Sequence, residues 1–271
     1  MKFIVQGYPA YAYTGGQPFD PARPAVVFIH GAAQDHSTWQ WQARHLAHHG
    51  LGVLAVDLPG HGRSPGTPRM SVAAMADWIG ALLDAACLAR ASVVGHSLGS
   101  LVALESALRF PARVAKLALV GVSAPMPVGG PFLAAAKDDS PAASDMQSVW
   151  GHARLSALSA SPVPGASLLA AGRQLTARAA PGVQHTDLCA CHAYAPSREE
   201  IASLAVPTLV VGGKRDQMTP ARAGQALANE IPGARFVLLD AGHSLPSEAP
   251  RDLAGLLRDF LAGSPPPGGN G

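Results

Sequence analysis

The sequence has little charge and few cysteines, and each shortage argues against a class of protein. Charged residues make up 14% of its 271 residues and the formal net charge is only +2. There is therefore no basic surplus that could dominate binding to nucleic acid. The three cysteines cannot all pair with one another, which argues against a disulfide framework and favours reduced thiols in a cytoplasmic protein.

The sequence also lacks the segments that direct a chain into or across a membrane. No uninterrupted apolar stretch reaches the roughly 18 residues that a spanning helix needs. The first residues, MKFIVQGYPAYAYTGG, contain no apolar region followed by a small-residue cleavage site, so we do not expect secretion through a signal peptide. Hydrophobic residues nevertheless make up 48% of the chain, which is enough for one large domain with a substantial core.

Short apolar runs alternate along the chain with segments of helical pattern. The runs are apolar on both faces, which is typical of parallel strands covered by helices. They are Val26–Ile29, Gly52–Val56, Ser92–Val94, Lys116–Val120, Thr208–Val211 and Arg235–Leu239. This alternation predicts an α/β fold with a doubly wound, mostly parallel sheet, and Phe3–Val5 and Tyr11–Tyr13 are candidates for an antiparallel hairpin at its edge.

The alternation stops after Val120. From residue 124 to residue 204 the sequence is rich in Ala, Ser, Pro and Gly and has no convincing strand, but residues such as Trp150 and Leu188 give its helical segments apolar faces to bury. We predict a helical cap at 124–204, inserted into a core formed by 1–123 and 205–262. The Pro- and Gly-rich tail at 263–271 is predicted to be disordered.

One serine has the surroundings of a catalytic nucleophile. Ser97 is the centre of Gly95-His-Ser-Leu-Gly99, a G-x-S-x-G pattern between an apolar strand run and a helical segment. A sharp strand-to-helix turn lifts such a serine hydroxyl above the sheet, and the two glycines let strand and helix approach closely. The turn also directs the N–H of Leu98 toward a developing oxyanion, so Leu98 is predicted as one oxyanion donor.

A serine hydroxyl is a poor nucleophile without a base, and the base needs an acid to orient it. His243 follows the last strand run, at the edge of the sheet where ligands bind in open α/β folds. Asp216 comes shortly after Thr208–Val211 and precedes a helical segment. We therefore predict a catalytic triad of Ser97, Asp216 and His243, with Asp240 as a weaker alternative acid because it lies too close in sequence to His243.

A second turn of small residues follows the first buried strand run. His30-Gly31-Ala32-Ala33 comes directly after Val26–Ile29. Such a turn can direct a second backbone N–H at the oxyanion, and Ala32 is the predicted donor. We expect His30 and Gly31 in this turn, and Trp150 in the predicted cap, to contact the substrate.

Taken together, these motifs resemble the α/β-hydrolase superfamily, in its capped, single-domain bacterial branch of esterases and related hydrolases. The matching motifs occur in family order over about residues 26–262. They are His30-Gly31 with Trp39, Asp57-Leu-Pro-Gly-His-Gly-Arg-Ser64, Gly95-His-Ser-Leu-Gly99, Gly-Gly-Lys-Arg-Asp216 and Ala-Gly-His243. The resemblance implies an α/β-hydrolase fold and hydrolysis without a metal or an organic cofactor. Ser97 stands where haloalkane dehalogenase and epoxide hydrolase relatives have an aspartate, so an acyl-enzyme is expected.

The leading hypothesis is a carboxylic ester hydrolase for a neutral ester with a small or medium acyl group. The predicted cap has few isolated charges, and burying a substrate carboxylate would need a dedicated partner. Alternatives on the same triad are carbon–carbon bond hydrolysis and cofactor-free perhydrolysis, often called haloperoxidase activity. A ligand-binding receptor of the same fold with little turnover is an alternative of another class.

Two clusters of metal-ligating residue types carry weaker signals. His45, His48 and His49 could share a helix face, but a solvated helix end explains them better. Cys189-Ala-Cys191-His192 is not a C-x-x-C pair and has no second half elsewhere in the chain. We therefore predict no metal site.

Overall fold

Eight strands form one sheet in the computed structural model, which describes residues 1–154, 165 and 167–263. In space the strands follow the order β1-β2-β4-β3-β5-β6-β7-β8. The pairs β1–β2 and β2–β4 are antiparallel, and every other neighbouring pair is parallel. The strands are β1 (Lys2–Val5), β2 (Tyr8–Tyr13), β3 (Ala25–Ile29), β4 (Gly52–Val56), β5 (Ala91–His96), β6 (Val114–Val120), β7 (Thr208–Gly213) and β8 (Arg235–Leu239). The predicted doubly wound, mostly parallel sheet is confirmed.

Helices separate the strands and continue through the long connection between β6 and β7. In the described residues they are α1 (Gln40–His48), α2 (Val72–Ala85), α3 (Leu98–Arg109), α4 (Gly130–Lys137), α5 (Pro141–Gly151), α6 (Leu168–Ala177), α7 (Val183–Ala193), α8 (Arg198–Ala202), α9 (Ala221–Glu230), α10 (Leu245–Glu248) and α11 (Pro250–Ala262). The described part of 124–204 contains α4 to α8 and no strand. We call 124–204 the insertion. Apart from Gly263, the predicted tail lies outside the described residues.

The central strands bury alternate residues on opposite faces of the sheet. In β3, Val27 and Ile29 join the core under α2 and α3, while Val26 and Phe28 join the core that includes residues of α1 and α11. Burial on both faces fails at β8, where Leu238 is 41% exposed, because β8 is an edge strand with a neighbour on one side only. Within the described ranges, every helix is too short or too polar to cross a membrane.

The parallel strands bring distant loops together. Because β3, β5, β7 and β8 run in the same direction, the turns that follow them meet at one edge of the sheet. These turns contain Ala32, Ser97, Asp216 and His243. The fold thus places most of the predicted site residues at one edge.

Candidate active site

Ser97 occupies a strained turn between β5 and α3. Its backbone has φ 55° and ψ −119°, a left-handed conformation that costs a residue with a side chain. A Cβ atom on Gly95 would collide with the carbonyl of Gly99, and one on Gly99 would collide with the carbonyls of Ile29 and His30. Strand and helix therefore approach as closely as the sequence predicted, and Ser97 lines a cavity above the sheet.

His243 and Asp216 form a buried hydrogen-bonded pair. The Nδ1–H of His243 donates to Asp216 Oδ2 at 2.9 Å, so the proton of a neutral ring lies on Nδ1 and Nε2 is left as a base. Nε2 is buried and has no hydrogen-bond partner among the described residues. His243 and Ser97 line the same cavity. The alternative acid, Asp240, is instead paired with Arg215 at the surface, with a distance of 3.0 Å between Nη1 and Oδ1.

The turn before α9 holds the Asp216 carboxylate through further donors. Oδ1 accepts the backbone N–H groups of Met218 at 2.9 Å and Thr219 at 2.8 Å, and Oδ2 accepts the Thr219 hydroxyl at 2.7 Å. Burial alone would raise the pKa of Asp216, but His243 and the donors of Thr219 outweigh burial and lower it. Asp216 is thus kept ionised and oriented toward His243.

His96 forms a hydrogen bond with the backbone of the loop that carries His243. Its Nε2–H donates to the His243 carbonyl at 2.8 Å, and the two ring centroids are 5.0 Å apart. Burial, together with the neighbouring His243, lowers the pKa of His96 to about 3, so this ring is neutral at physiological pH. The sequence pattern singles out neither His96 nor Thr219, because their contacts with His243 form only in the folded chain.

The turn after β3 leaves one backbone N–H free. The N–H of Gly31 donates to Gln34 Oε1 at 3.1 Å and that of Ala33 to Asp187 Oδ2 at 2.8 Å, whereas that of Ala32 has no acceptor in the described part of the chain. Leu98 is the first residue of α3, so its N–H has no acceptor within the helix. Both predicted oxyanion donors are therefore backbone N–H groups without an acceptor among the described residues: one belongs to the cavity-lining Ala32, and the other belongs to Leu98, next to the cavity-lining Ser97.

His30 does not contact the cavity, contrary to the prediction that it binds substrate. The residue is fully buried, its Nδ1–H donates to the Gly31 carbonyl at 2.8 Å, and its Nε2 accepts from the Leu58 N–H at 3.2 Å. Burial lowers the pKa of His30 to about 4, which keeps the ring neutral as these bonds require. Because C=O and N–H point in opposite directions across a trans peptide, holding the Gly31 carbonyl turns the Ala32 N–H the other way.

The cavity has a volume of about 420 Å³ and a lining without a formally charged Lys, Arg, Asp or Glu in the described residues. Gly31 and Trp150 line it, as predicted for substrate contacts. Trp150 packs edge-to-face against Phe132 with centroids 5.7 Å apart, and 39% of it remains exposed. The insertion contributes much of the remaining wall, including Met126, Gln147, His152 and Leu188.

Asp35, His36 and Asp57 bring three possible metal-ligating atoms within 4.8 Å of one another. Protein donors already engage these groups. Asp57 Oδ1 accepts the backbone N–H of His36 at 2.7 Å and its Nδ1–H at 2.8 Å, and Asp35 Oδ2 accepts from Arg178 at 2.8 Å. The cluster ties the start of the helical turn His36–Trp39 to the loop after β4, and it supplies no argument for a metal.

Comparison with known proteins gives relatives along most of the chain. A pimeloyl-(acyl-carrier protein) methyl ester esterase from Neisseria meningitidis serogroup B is 34% identical over 226 residues, covering 78% of this chain and 83% of the relative. The dihydrolipoyllysine-residue acetyltransferase component of the acetoin cleaving system of Cupriavidus necator is 30% identical over 277 residues, covering 93% of this chain and 66% of that protein.

A solved structure and a family profile both match this chain over most of its length. The enol-lactonase from Burkholderia xenovorans LB400 superimposes with a TM-score of 0.86 at 24% identity, covering 97% of this chain and all of that one, which establishes a shared fold. The profile described as the alpha/beta hydrolase fold matches residues 24–250. The profile covers most of the sheet and the turns that carry Ser97, Asp216 and His243, and the chain belongs to the alpha/beta hydrolase fold family.

Proposed function

We propose that this chain hydrolyses neutral carboxylic esters through an acyl-enzyme formed on Ser97. One observation carries the proposal: His243 is bonded through Nδ1 to Asp216, and its unpartnered Nε2 belongs to a ring that lines the same cavity as Ser97. That arrangement supplies the tautomer that a general base needs. The ester-cleaving activity named for the Neisseria relative agrees with the proposal.

The proposed reaction has two halves. In the first, His243 Nε2 takes the proton of the Ser97 hydroxyl while Oγ attacks the ester carbonyl, and the N–H groups of Ala32 and Leu98 stabilise the oxyanion. The alcohol leaves with the proton from His243 and the acyl group stays on Ser97. In the second half the same nitrogen activates a water molecule that releases the acid and restores the serine.

The cavity lining supports a neutral substrate. An unpaired carboxylate in this cavity would lose its hydration without gaining a cation, because no Lys or Arg lines the cavity in the described residues. Two arginines of the insertion are committed elsewhere: Arg173 pairs with Asp145 and Arg178 pairs with Asp35. A volume of about 420 Å³ suits a compact ligand.

We propose that the insertion acts as a cap and limits acyl length. Apolar side chains of the insertion, among them Met126, Phe132 and Leu188, form part of the wall that the acyl chain would meet. Each buried methylene gains about 0.8 kcal/mol, so affinity should rise with chain length until the wall is reached. Acyl groups from about C2 to C8 should fit, and long chains should be hydrolysed poorly.

The test is a series of p-nitrophenyl esters from acetate to palmitate, with one anionic ester added. We expect kcat/KM to peak at or below about C8 and to be low for palmitate and for the anionic ester. Ser97→Ala should lose several orders of magnitude in kcat, while Ser203→Ala, at the exposed end of α8, should retain full activity. Preference for palmitate or for the anionic ester would overturn the substrate assignment, and retained activity in Ser97→Ala would overturn the mechanism.

A further inference from the structure

Two helices of the insertion form hydrogen bonds with the loop that carries the proposed oxyanion donor Ala32. Asp187 on α7 is fully buried, and its Oδ2 accepts the backbone N–H of Ala33 at 2.8 Å. Gln147 on α5 donates from Nε2 to the backbone carbonyl of Ala32 at 2.8 Å. The Ala32 carbonyl and the Ala33 N–H belong to the same peptide group, so the insertion holds that group at both ends.

The side chains of Asp187 and Gln147 are themselves oriented by further hydrogen bonds. The amide of Gln147 is oriented by Gln184 on α7, whose Nε2 donates to Gln147 Oε1 at 2.7 Å. The carboxylate of Asp187 also accepts from His61 Nε2 at 2.8 Å, while His61 Nδ1 faces the Pro59 carbonyl at 3.1 Å. Because both ring nitrogens of His61 face acceptors, only the doubly protonated ring satisfies both bonds. Asp187 is therefore fixed by a buried ion pair with His61.

The peptide group between Ala32 and Ala33 precedes a residue with a strained backbone, Ala33. Ala33 has a φ of 56°, a left-handed conformation that few residues other than glycine adopt at no cost. The bond from its N–H to Asp187 favours that conformation. On the other side of Ala32, the Gly31 carbonyl is held by His30 Nδ1–H and by the Gln34 N–H at 3.2 Å. The core thus fixes the peptide before Ala32, and the insertion fixes the peptide after it.

We infer that Asp187 and Gln147 are positioning residues that let the insertion set the oxyanion hole. The inference rests on the proposed function, since it concerns the donor N–H of Ala32. The donor N–H belongs to the peptide before Ala32, which the core holds at the Gly31 carbonyl. Without Asp187 or Gln147 the peptide after Ala32 is free to rotate, so Ala32 is anchored on one side only and its N–H can tilt away from the oxyanion. A displacement of about 1 Å at a reacting centre can cost about 100-fold in rate. Catalytic competence is thereby coupled to a seated insertion.

The experiment compares Asp187→Ala, Asp187→Asn and Gln147→Met with the wild-type protein. Asp145→Asn removes an exposed ion pair between α5 and Arg173 on α6, and Gln225→Met alters an exposed glutamine on α9, so these two serve as matched controls. The readouts are kcat and KM for p-nitrophenyl butyrate and the inhibition constant of a trifluoromethyl ketone, whose serine adduct carries an oxyanion. Hydrogen exchange of the peptide covering residues 31–34 reports on the loop without any turnover.

We expect kcat in Asp187→Ala and Gln147→Met to fall about 10- to 100-fold, with KM changed less than about threefold. The affinity for the trifluoromethyl ketone should fall by the same factor as kcat, because both depend on the oxyanion donors. Asp187→Asn should recover most of the activity, since its amide oxygen still accepts from Ala33. Exchange at residues 31–34 should accelerate in the two damaging variants, and the controls should match the wild type.

Unchanged kcat together with faster exchange at residues 31–34 would overturn the inference, as would a loss of kcat with no loss of affinity for the ketone. If Asp187→Ala fails to fold, Gln147→Met answers the question, because Gln147 is only partly buried. A wild-type protein that turns over no ester would instead contradict the proposed function. The exchange measurement would then still report whether the loop is held by the insertion.

Discussion

The histidines around the site differ in protonation because their surroundings differ. Burial lowers the pKa of His30 to about 4 and that of His96 to about 3, so both are neutral and serve as oriented hydrogen-bonding groups. Burial would also lower the pKa of His61, but Asp187 outweighs that effect and raises it. Of these neighbours, only His243 combines a carboxylate on Nδ1 with an Nε2 that has no partner in the described part of the chain, in a ring that lines the cavity.

At the residue scale, Asp216→Asn tests the role of the carboxylate. An asparagine amide can donate to the ring and so favour the wrong tautomer of His243, in which Nε2 carries the proton. We expect kcat to fall by roughly 10⁴, as in other serine hydrolases with a hydrogen-bonded acid. Asp240→Asn is the matched control, because Asp240 pairs with Arg215 at the surface. A variant at position 216 that kept more than about a tenth of wild-type kcat would show that Asp216 is not the acid.

At the scale of elements, the sequence predicted the strands and helices of the core well because each follows a strong local pattern. The helical segment expected after Ser97 is α3, and the strand runs are present within a few residues. Asp216 and His243 were identifiable because they follow such runs. The hydrogen bond between Asp187 and Ala33 could not be predicted, because it joins residues 154 positions apart. No local sequence pattern indicates which side chain of a folded insertion will contact a distant loop.

The close approach of β5 and α3 gives a prediction at this scale. In Gly95→Ala the new methyl group would overlap the backbone carbonyl of Gly99, which cannot rotate away as a side chain could. We expect a loss of at least about 3 kcal/mol in the free energy of unfolding, measured by urea denaturation, together with loss of activity. Gly255→Ala on α11, where the new methyl would meet no described atom within 4 Å beyond its own helix backbone and chain neighbours, should gain about 0.5 to 1 kcal/mol instead. Equal stability of the two variants would contradict the packing argument.

At the scale of the whole molecule, the insertion is joined to the core through charge as well as through apolar contacts. His61 follows β4 and Asp187 lies on α7, and both side chains are almost completely buried. The charge of Asp57 also favours protonated His61, while His30, with ring centroids 4.9 Å apart, is neutral. The predicted consequence is that the stability of the protein depends on the protonation of His61, a histidine that takes no part in the proposed reaction.

The sign of this pH dependence follows from the raised pKa of His61. Its stabilisation is complete below the ordinary histidine pKa of about 6.5 and is lost as pH rises through the raised value. Asp187→Asn should therefore be less stable than the wild type by about 3 kcal/mol at pH 6, and the gap should narrow toward pH 9. Urea denaturation across that range measures the gap. A gap that is constant or that widens with pH would contradict the ion pair.

The central claim is that Ser97 becomes acylated during turnover, and rapid acid quenching tests it most directly. Wild-type protein mixed with excess p-nitrophenyl acetate, quenched during turnover, digested and analysed by mass spectrometry should carry one acetyl group on the peptide containing Ser97. Ser97→Ala should carry none and release no burst of p-nitrophenol, while Ser203→Ala should behave as the wild type. Stable acetylation of a different residue in step with turnover, or steady ester hydrolysis by Ser97→Ala, would contradict the mechanism.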